Sequence, residues 1–220
     1  MQVGFIGGTG PLGRGLGVRL ALAGANVAIG SRSVERAAET AADLRAKWAH
    51  GQLPIEGAAN EDVAASDIVV VATPWDAAIP TVRPLAGLLD GKVVVSVGNA
   101  LVRQAREMHA LVPPRGSVAG AVQAELPGAL VAAACHHLPA GVLEDLEAPL
   151  SADVLVCSDH AAALAATMAM VGMVDGLRPL DAGSLASAAP IEAFTAVLVN
   201  LNIRYKGHST PHFVGLEHVG

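Results

Sequence analysis

Aromatic residues are scarce in this chain: three Phe, two Trp and one Tyr, 3% of 220 residues. Hydrophobic residues reach 52%, much of it alanine, so the core must pack in thin layers with helices close to the sheet. Cysteine is nearly absent as well. Cys135 and Cys157 sit in apolar, strand-like runs and form no C-x-x-C pair, which reads them as small buried hydrophobes. Charged residues make up only 15%, with a net charge of −6 and scattered basic positions, which argues against a nucleic-acid surface. No apolar run reaches the uninterrupted length of a bilayer span. Met1 leads directly into the first strand and leaves no room for a signal peptide, so the cytoplasm is the expected compartment and no membrane partner is expected. The sequence has no Ser- or Gly-rich linker and no internal repeat. It shows no Ser-His-Asp arrangement, no metal-ligand spacing, and no obvious lysine or carboxylate acid near the motif described next.

The apolar run Val3-Gly4-Phe5-Ile6 flows straight into a glycine-rich turn in which Gly8, Gly10 and Gly13 fit the G-x-G-x-x-G spacing. Glycines there permit a tight bend, a close backbone approach to a pyrophosphate, and a helix packed against its strand. The helix start then presents free N–H groups and the positive dipole end to the phosphates. Thr9, Pro11 and Leu12 complete this turn. A second strand arrives on schedule at Asn26-Val27-Ala28-Ile29-Gly30. An NAD site usually closes that strand with Asp or Glu; here Ser31-Arg32-Ser33 stands in its place, and Arg36 lies four residues beyond Arg32. Hydroxyls and guanidinium groups match a ribose 2′-phosphate, and four-residue spacing puts both cations on one side, so the expected nucleotide is NADP.

Apolar runs alternate with helical stretches along the chain, the pattern of a parallel sheet covered on both faces. Strands are predicted over 2–7, 26–30, 52–57, 67–72, 92–96, 129–135, 153–157 and 177–183. Helices are predicted over 11–23, 33–48, a short capped piece from Asn60, 76–88, 115–126 and 160–173. From Ser184 to Asn202 the sequence is apolar on nearly every side, with Pro190 expected to kink it. Such a helix in so small a chain predicts burial between lobes or against a second subunit, hence a homodimer. The fold expected is α/β: a Rossmann-type doubly wound parallel sheet over 1–125, with a smaller C-terminal α/β lobe over 126–220 closing a substrate cleft.

The runs Gly7-Gly8-Thr9-Gly10 and Gly30-Ser31-Arg32-Ser33, the pair Pro74-Trp75, the strand ending His136-His137-Leu138-Pro139-Ala140, and Gly176-Leu177-Arg178-Pro179-Leu180-Asp181-Ala182-Gly183 resemble the F420-dependent NADP oxidoreductases. The resemblance covers essentially the whole chain. It implies reversible hydride transfer between NADPH and the deazaflavin coenzyme F420, a reaction in which orientation supplies most of the catalysis. It also implies that Thr9 to Leu12 hold the pyrophosphate and that Ser31, Arg32 and Arg36 hold the 2′-phosphate. Thr73, Pro74, Trp75 and the loop Asn99-Ala100-Leu101 would line the nicotinamide half. His136, Leu138 and Ala140 would face the stacked rings, His136 as the one catalytic candidate, orienting the deazaflavin or stabilising charge in it. His137, one residue on, would point the other way and serve the structure. Met168, Met170 and Met173 read as core. Arg204, Lys206 and His208 are either contacts for the anionic tail of the deazaflavin or cations at a helix end. The chain departs from the family at Gly207-His208-Ser209-Thr210-Pro211-His212-Phe213, which bears on the edge of the deazaflavin pocket and little on the NADP site. Two other readings use the same scaffold: an NADPH-dependent imine or carbonyl reductase, which needs a proton donor at the hydride site, and a non-catalytic NADP sensor.

Overall fold

The computed structural model describes residues 1–48 and 52–216. The last residues of the predicted C-terminal lobe, 217–220, therefore lie outside the described residues. Among the described residues ten strands occur in chain order: β1 Gln2–Ile6, β2 Asn26–Ser31, β3 Ile55–Ala59, β4 Ile68–Val71, β5 Val93–Ser96, β6 Leu101–Gln104, β7 Glu107–Ala110, β8 Leu130–Ala133, β9 Ala152–Ser158 and β10 Leu177–Asp181. The helices are α1 Pro11–Leu22, α2 Val34–Lys47, α3 Asn60–Val63, α4 Trp75–Val82, α5 Ala86–Leu89, α6 Val118–Glu125, α7 Ala140–Leu143, α8 Ala161–Gly172 and α9 Ala188–Tyr205.

Eight strands form one sheet in the order β10-β9-β8-β5-β4-β1-β2-β3. From β3 to β8 every pairing is parallel, as the unbroken valine run of β4 and its burial on both faces require. One core cluster includes Phe5, Leu16, Leu20, Ile29, Leu44 and Met170; the other includes Ile6, Val69, Val71, Leu89, Val122 and Val131. Cys135 and Cys157 are both buried and unbridged, and burial pushes each thiol up to about 12.

Several expectations are corrected here. The strands of the 126–220 segment extend the same sheet along one edge. β8 pairs with β5 in parallel, but β9 returns antiparallel, because the link through α7 does not cross the sheet face as a parallel return demands. The helix predicted over 76–88 is interrupted by a 3-10 turn at Arg83–Leu85, where Pro84 lacks the N–H that would continue the helical ladder. The stretch after Asn99 holds the β6–β7 hairpin, which carries too few apolar residues to register as strands. Pro190 does not kink α9: it stands third in the helix, where its missing N–H has no intrahelical acceptor.

α9 also differs in its surroundings. The span Leu185–Tyr205 is 21 residues long with mean hydropathy 1.3, long and apolar enough to cross a membrane by length and composition only, though Glu192 and Arg204 interrupt it. Its inner side is nonetheless bound to the protein by polar contacts. Glu192 accepts hydrogen bonds from the Val118 and Ala119 N–H groups (2.8 and 3.0 Å), and Asn200 pairs with the Met108 N–H and carbonyl (2.7 and 2.8 Å). Its outer side, expected to be buried, exposes Phe194, Val197, Leu201 and Tyr205, which recur at helical spacing.

Candidate functional site

In an order that runs outward from β1 to β2-β3 on one side and β4-β5 on the other, ligands lie at the carboxyl ends of β1 and β4. The glycine turn is built there from close contacts. Gly7 adopts φ +68°, and a Cβ on it would strike the Thr73 methyl. A Cβ on Gly13 would run into the backbone of Gly8, so α1 can approach β1 only with glycine at this position. Gly10 differs: a Cβ there would meet no protein atom within 4 Å. Its small size leaves room beside the turn for a ligand, not for the protein.

Gly10 is also the N-cap of α1, and no side chain caps the helix. Pro11 opens it, and the first turn carries no acidic residue. The free N–H groups of that turn are thus left to a ligand, which is where a pyrophosphate is favoured.

Ser33 caps α2 by accepting the Arg36 N–H at 3.2 Å and donates its own hydroxyl to Glu35 (2.8 Å). That cap fixes where α2 begins, so Arg32 and Arg36 flank it one turn apart. Both guanidinium groups line an open cleft of about 310 Å³ with Thr9, Gly10, Ser31, Thr73 and Pro74. Neither forms an ion pair among the described residues. The Thr73 hydroxyl is buried in the same wall, with no partner among the described residues. An orphan hydroxyl, two unpaired cations and an uncapped helix start fit the phosphates and ribose of NADP.

Asn60 is a cleft residue that the sequence reading took only for a helix cap. Its side-chain oxygen accepts the Gly7 N–H at 3.1 Å, tying the end of β3 to the glycine turn. Nothing local predicts this, since the contact spans 53 residues and depends on β3 pairing with β2. Gly7, Ala72, Ala77 and Thr81 complete the lining. A neighbouring hollow of about 300 Å³ shares Arg32, Asn60, Ala77 and Thr81 and adds Pro80, Pro84 and Leu85. Another hollow, of about 440 Å³ and lined by Gln2, Asn26 and Arg45, lies at the amino ends of the strands, away from these groups.

The remaining candidate residues stand elsewhere. Gly8 and Gly13 are inside the turn, Leu12 packs partly on the core, and Pro11 is exposed. Trp75 opens α4 and packs against the core on the sheet's other face. Ala100 is buried, and Leu101 begins β6. Asn99 is engaged by the protein: its amide donates to the His136 carbonyl (3.1 Å), and its oxygen accepts the Thr195 hydroxyl (3.0 Å). Leu138 is buried, while Ala140 is half-buried at the start of α7.

His136 follows Cys135, whose left-handed backbone (φ +62°) turns the chain out of β8. The residue is 4% exposed, and neither ring nitrogen has a hydrogen-bond partner among the described residues. Burial, reinforced by the neighbouring His137, lowers its pKa to about 3; the nearby Val97 and Gly98 carbonyls oppose the shift without bonding the ring. The imidazole is neutral, so stabilising charge as a cation is not among its roles. His137 is structural, as expected: Nε2 meets the Ile191 carbonyl at 2.8 Å, and its ring sits edge-on to Phe194. Burial pushes the Glu192 carboxyl up to about 7 against the two N–H groups that hold it. Arg204 is spent on Glu107 of the hairpin. Met170 is fully buried, and Met168 and Met173 pack on the same core.

A Rossmann-type sheet whose β1–α1 turn offers an uncapped helix start has the architecture of a dinucleotide-binding α/β protein, and the two arginines beside β2 fit NADP. Residues 2–100 match the family described as NADP oxidoreductase, coenzyme F420-dependent. The chain is 37% identical over 217 residues to an F420-dependent NADP reductase of Methanocaldococcus jannaschii, covering 96% of each. It is 34% identical to the enzyme of that name from Methanothermobacter thermautotrophicus, covering 93% of this chain and 90% of the other. In fold it is similar to a crystal structure from Arthrobacter sp. FB24 described as that of an F420-dependent NADP reductase, with TM-score 0.78, 24% identity, and 94% and 95% of the two chains covered. This chain belongs to the F420-dependent NADP reductase family.

Proposed function

We propose that this protein transfers hydride reversibly between NADP(H) and coenzyme F420. The full-length match to reductases of that name carries the reading. When bound, the two coenzymes supply the redox chemistry themselves, as hydride donor and acceptor. The chain's own residues bind and orient. The first turn of α1, with Thr9, Gly10 and Leu12, holds the pyrophosphate; Ser31, Arg32 and Arg36 hold the 2′-phosphate; and the proline-lined hollow beside Arg32 takes the adenine. Thr73 and Pro74, which line the cleft, flank the nicotinamide, and Trp75, Ala100 and Leu101 support that side from outside its lining. Asn99 acts indirectly, holding the end of β5 against the His136 carbonyl and α9. His136, Leu138 and Ala140 shape the deazaflavin side, His136 as a neutral, water-excluding group.

A carbonyl or imine reductase would need an acid at the hydride site. His136, with its pKa lowered to about 3, is not one. Oxidation of NADPH should therefore proceed with F420 and not with a panel of imines and carbonyls; turnover of an imine with F420 inert would replace this reading.

We further propose a cytoplasmic homodimer of redox-coenzyme partners alone, with neither nucleic acid nor membrane. The apolar stripe Phe194, Val197, Leu201, Tyr205 supports a second copy on the outer side of α9. Light scattering should give twice the chain mass for wild type and a shift toward the monomer for Val197→Glu with Leu201→Glu. An active wild-type monomer contradicts the dimer.

A further inference from the structure

We propose that Arg14, Gly15 and Arg19 of α1 are positioning residues for hydride transfer: they anchor α7 on the helix that starts the nucleotide site, and so fix the segment 136–140 over the strand ends where the two coenzymes meet. The inference rests on the functional reading above.

β8 and β9 are antiparallel neighbours, a pair that a two-residue turn can join. The chain instead spends residues 134–151 on the link. Links of that length with little structure of their own are uncommon and tend to carry function. The chain leaves β8 at the carboxyl edge of the sheet and runs sideways to α1 before it returns to β9. β5 and β4 stand between β8 and β1, the strand that feeds α1, a distance of about 14 Å at the usual strand spacing. Residues 136–143 therefore pass the ends of β5 and β4, which lead to Asn99 and Thr73. Leu138 and Leu143 accordingly share a core cluster with Val70 of β4, Val95 of β5 and Leu16 of α1.

Both ends of this bridge are held. At the β8 end, the His136 carbonyl accepts the Asn99 amide (3.1 Å) and the Thr195 hydroxyl (3.3 Å). At the far end α7 lies directly on α1: a Cβ on Gly15 would strike the Leu143 side chain and the backbone of Leu143 and Glu144, and Leu143 is fully buried. Arg19 reaches the end of α7, where its guanidinium donates to the Leu143 and Asp145 carbonyls at 2.7 and 2.8 Å. It thus satisfies acceptors that a helix end leaves free. Arg14 forms a two-pronged pair with Glu144 at 2.7 and 3.1 Å, and Lys47 from the end of α2 adds a contact at 3.2 Å. Arg14 holds the Glu144 carboxyl below its ordinary range, so the pair stays charged at neutral pH.

The anchor joins the two halves of the site. The Arg14 N–H closes the first turn of α1 on the Gly10 carbonyl (2.9 Å), so the anchor begins one turn from the uncapped start that faces the nucleotide cleft. Ala140 opens α7, so its other side begins where the segment assigned to the deazaflavin ends. Hydride transfer needs the reacting atoms about 3–3.5 Å apart, and a misplacement near 1 Å can cost about 100-fold. Arg14, Gly15 and Arg19 are not in the lining of the nucleotide cleft, so their loss should lower the rate at saturation and not the affinities.

Four variants of the full chain test this. Arg19→Met removes the carbonyl contacts at a half-buried position, Gly15→Ala drives a methyl into α7, Glu144→Gln weakens the Arg14 pair, and Arg14→Lys retains its charge. Amide hydrogen exchange reads α7, separate titrations read NADPH and F420 affinity, and single-turnover oxidation of NADPH by saturating F420 reads hydride transfer. Arg19→Met and Gly15→Ala should speed exchange over 140–148 with the sheet still protected. They should slow the single turnover about tenfold or more and leave each affinity within about threefold of wild type. Glu144→Gln should fall between, and Arg14→Lys should stay near wild type. If Gly15→Ala does not fold, Arg19→Met decides. Unchanged exchange over 140–148 overturns the anchor. A loosened α7 with an unchanged single-turnover rate, or affinities that fall while the saturated rate holds, overturns the positioning role. Wild type that does not oxidise NADPH with F420 overturns the functional reading and the positioning role with it, while exchange still reports on the anchor.

Discussion

Replacing Arg32 by Asp together with Arg36 by Ala is expected to weaken NADPH binding at least about tenfold and to leave NADH binding nearly as it was. Two charge-assisted contacts at about 1.5–3 kcal/mol each would give roughly 100-fold or more. Solvent screening of these exposed guanidinium groups lowers that toward the stated bound. The Asp adds repulsion against a phosphate dianion, so discrimination should fall further than either lost contact alone implies. The fold should tolerate both changes. Neither arginine forms an ion pair among the described residues, and the Ser33 cap uses only the Arg36 backbone. Parallel titrations with the two nucleotides decide the matter: equal losses for NADH and NADPH would remove these residues from the 2′-phosphate.

A second large effect should separate two glycines of one motif. Gly10→Val should leave thermal stability close to wild type, because its Cβ meets no protein atom and its backbone (φ −79°, ψ 169°) suits any L-residue. The added side chain would fill the space at the start of α1, costing one or two phosphate contacts and roughly 10- to 100-fold in NADPH affinity. Gly13→Val should do the reverse first. Its Cβ runs into the Gly8 backbone, which cannot yield as a side chain can. Overpacking of this kind costs about 1–3 kcal/mol or more and lowers the melting temperature by several degrees in a chain of this size. A Gly10→Val protein that melts early, or binds NADPH normally, would show that the space beside the turn has another use.

The nucleotide half of the site was legible because its determinants are local. Glycine spacing, the residues that end β2, and the Thr73-Pro74 turn are each set within a few positions of a strand end. The acceptor half depends on contacts between distant segments. That Asn99 is committed to His136 and Thr195, that Asn60 reaches Gly7, and that Glu192 caps α6 all require knowing which strands pair and where α9 lies. The change of character after Asn99 does not by itself tell a new sheet from an extension of the old one, and the strands beyond it extend the old one. Uniform apolar character in α9 predicted burial. The helix instead buries one polar-pinned side and exposes an apolar stripe, a division that residue type alone does not reveal because Glu192 and Thr195 face inward.

Hydride is expected to pass between NADPH and F420 by orientation alone, without a side-chain acid. NADPH carrying deuterium at nicotinamide C4, in each of its two stereochemical forms, should be oxidised with F420 and the reduced deazaflavin examined by mass spectrometry. The account predicts that one form delivers its deuterium to deazaflavin C5 without loss to solvent, and that the other delivers only hydrogen. Deuterium released wholly into water, or no F420 reduction at any pH from about 5 to 9, where His136 stays neutral, would contradict it.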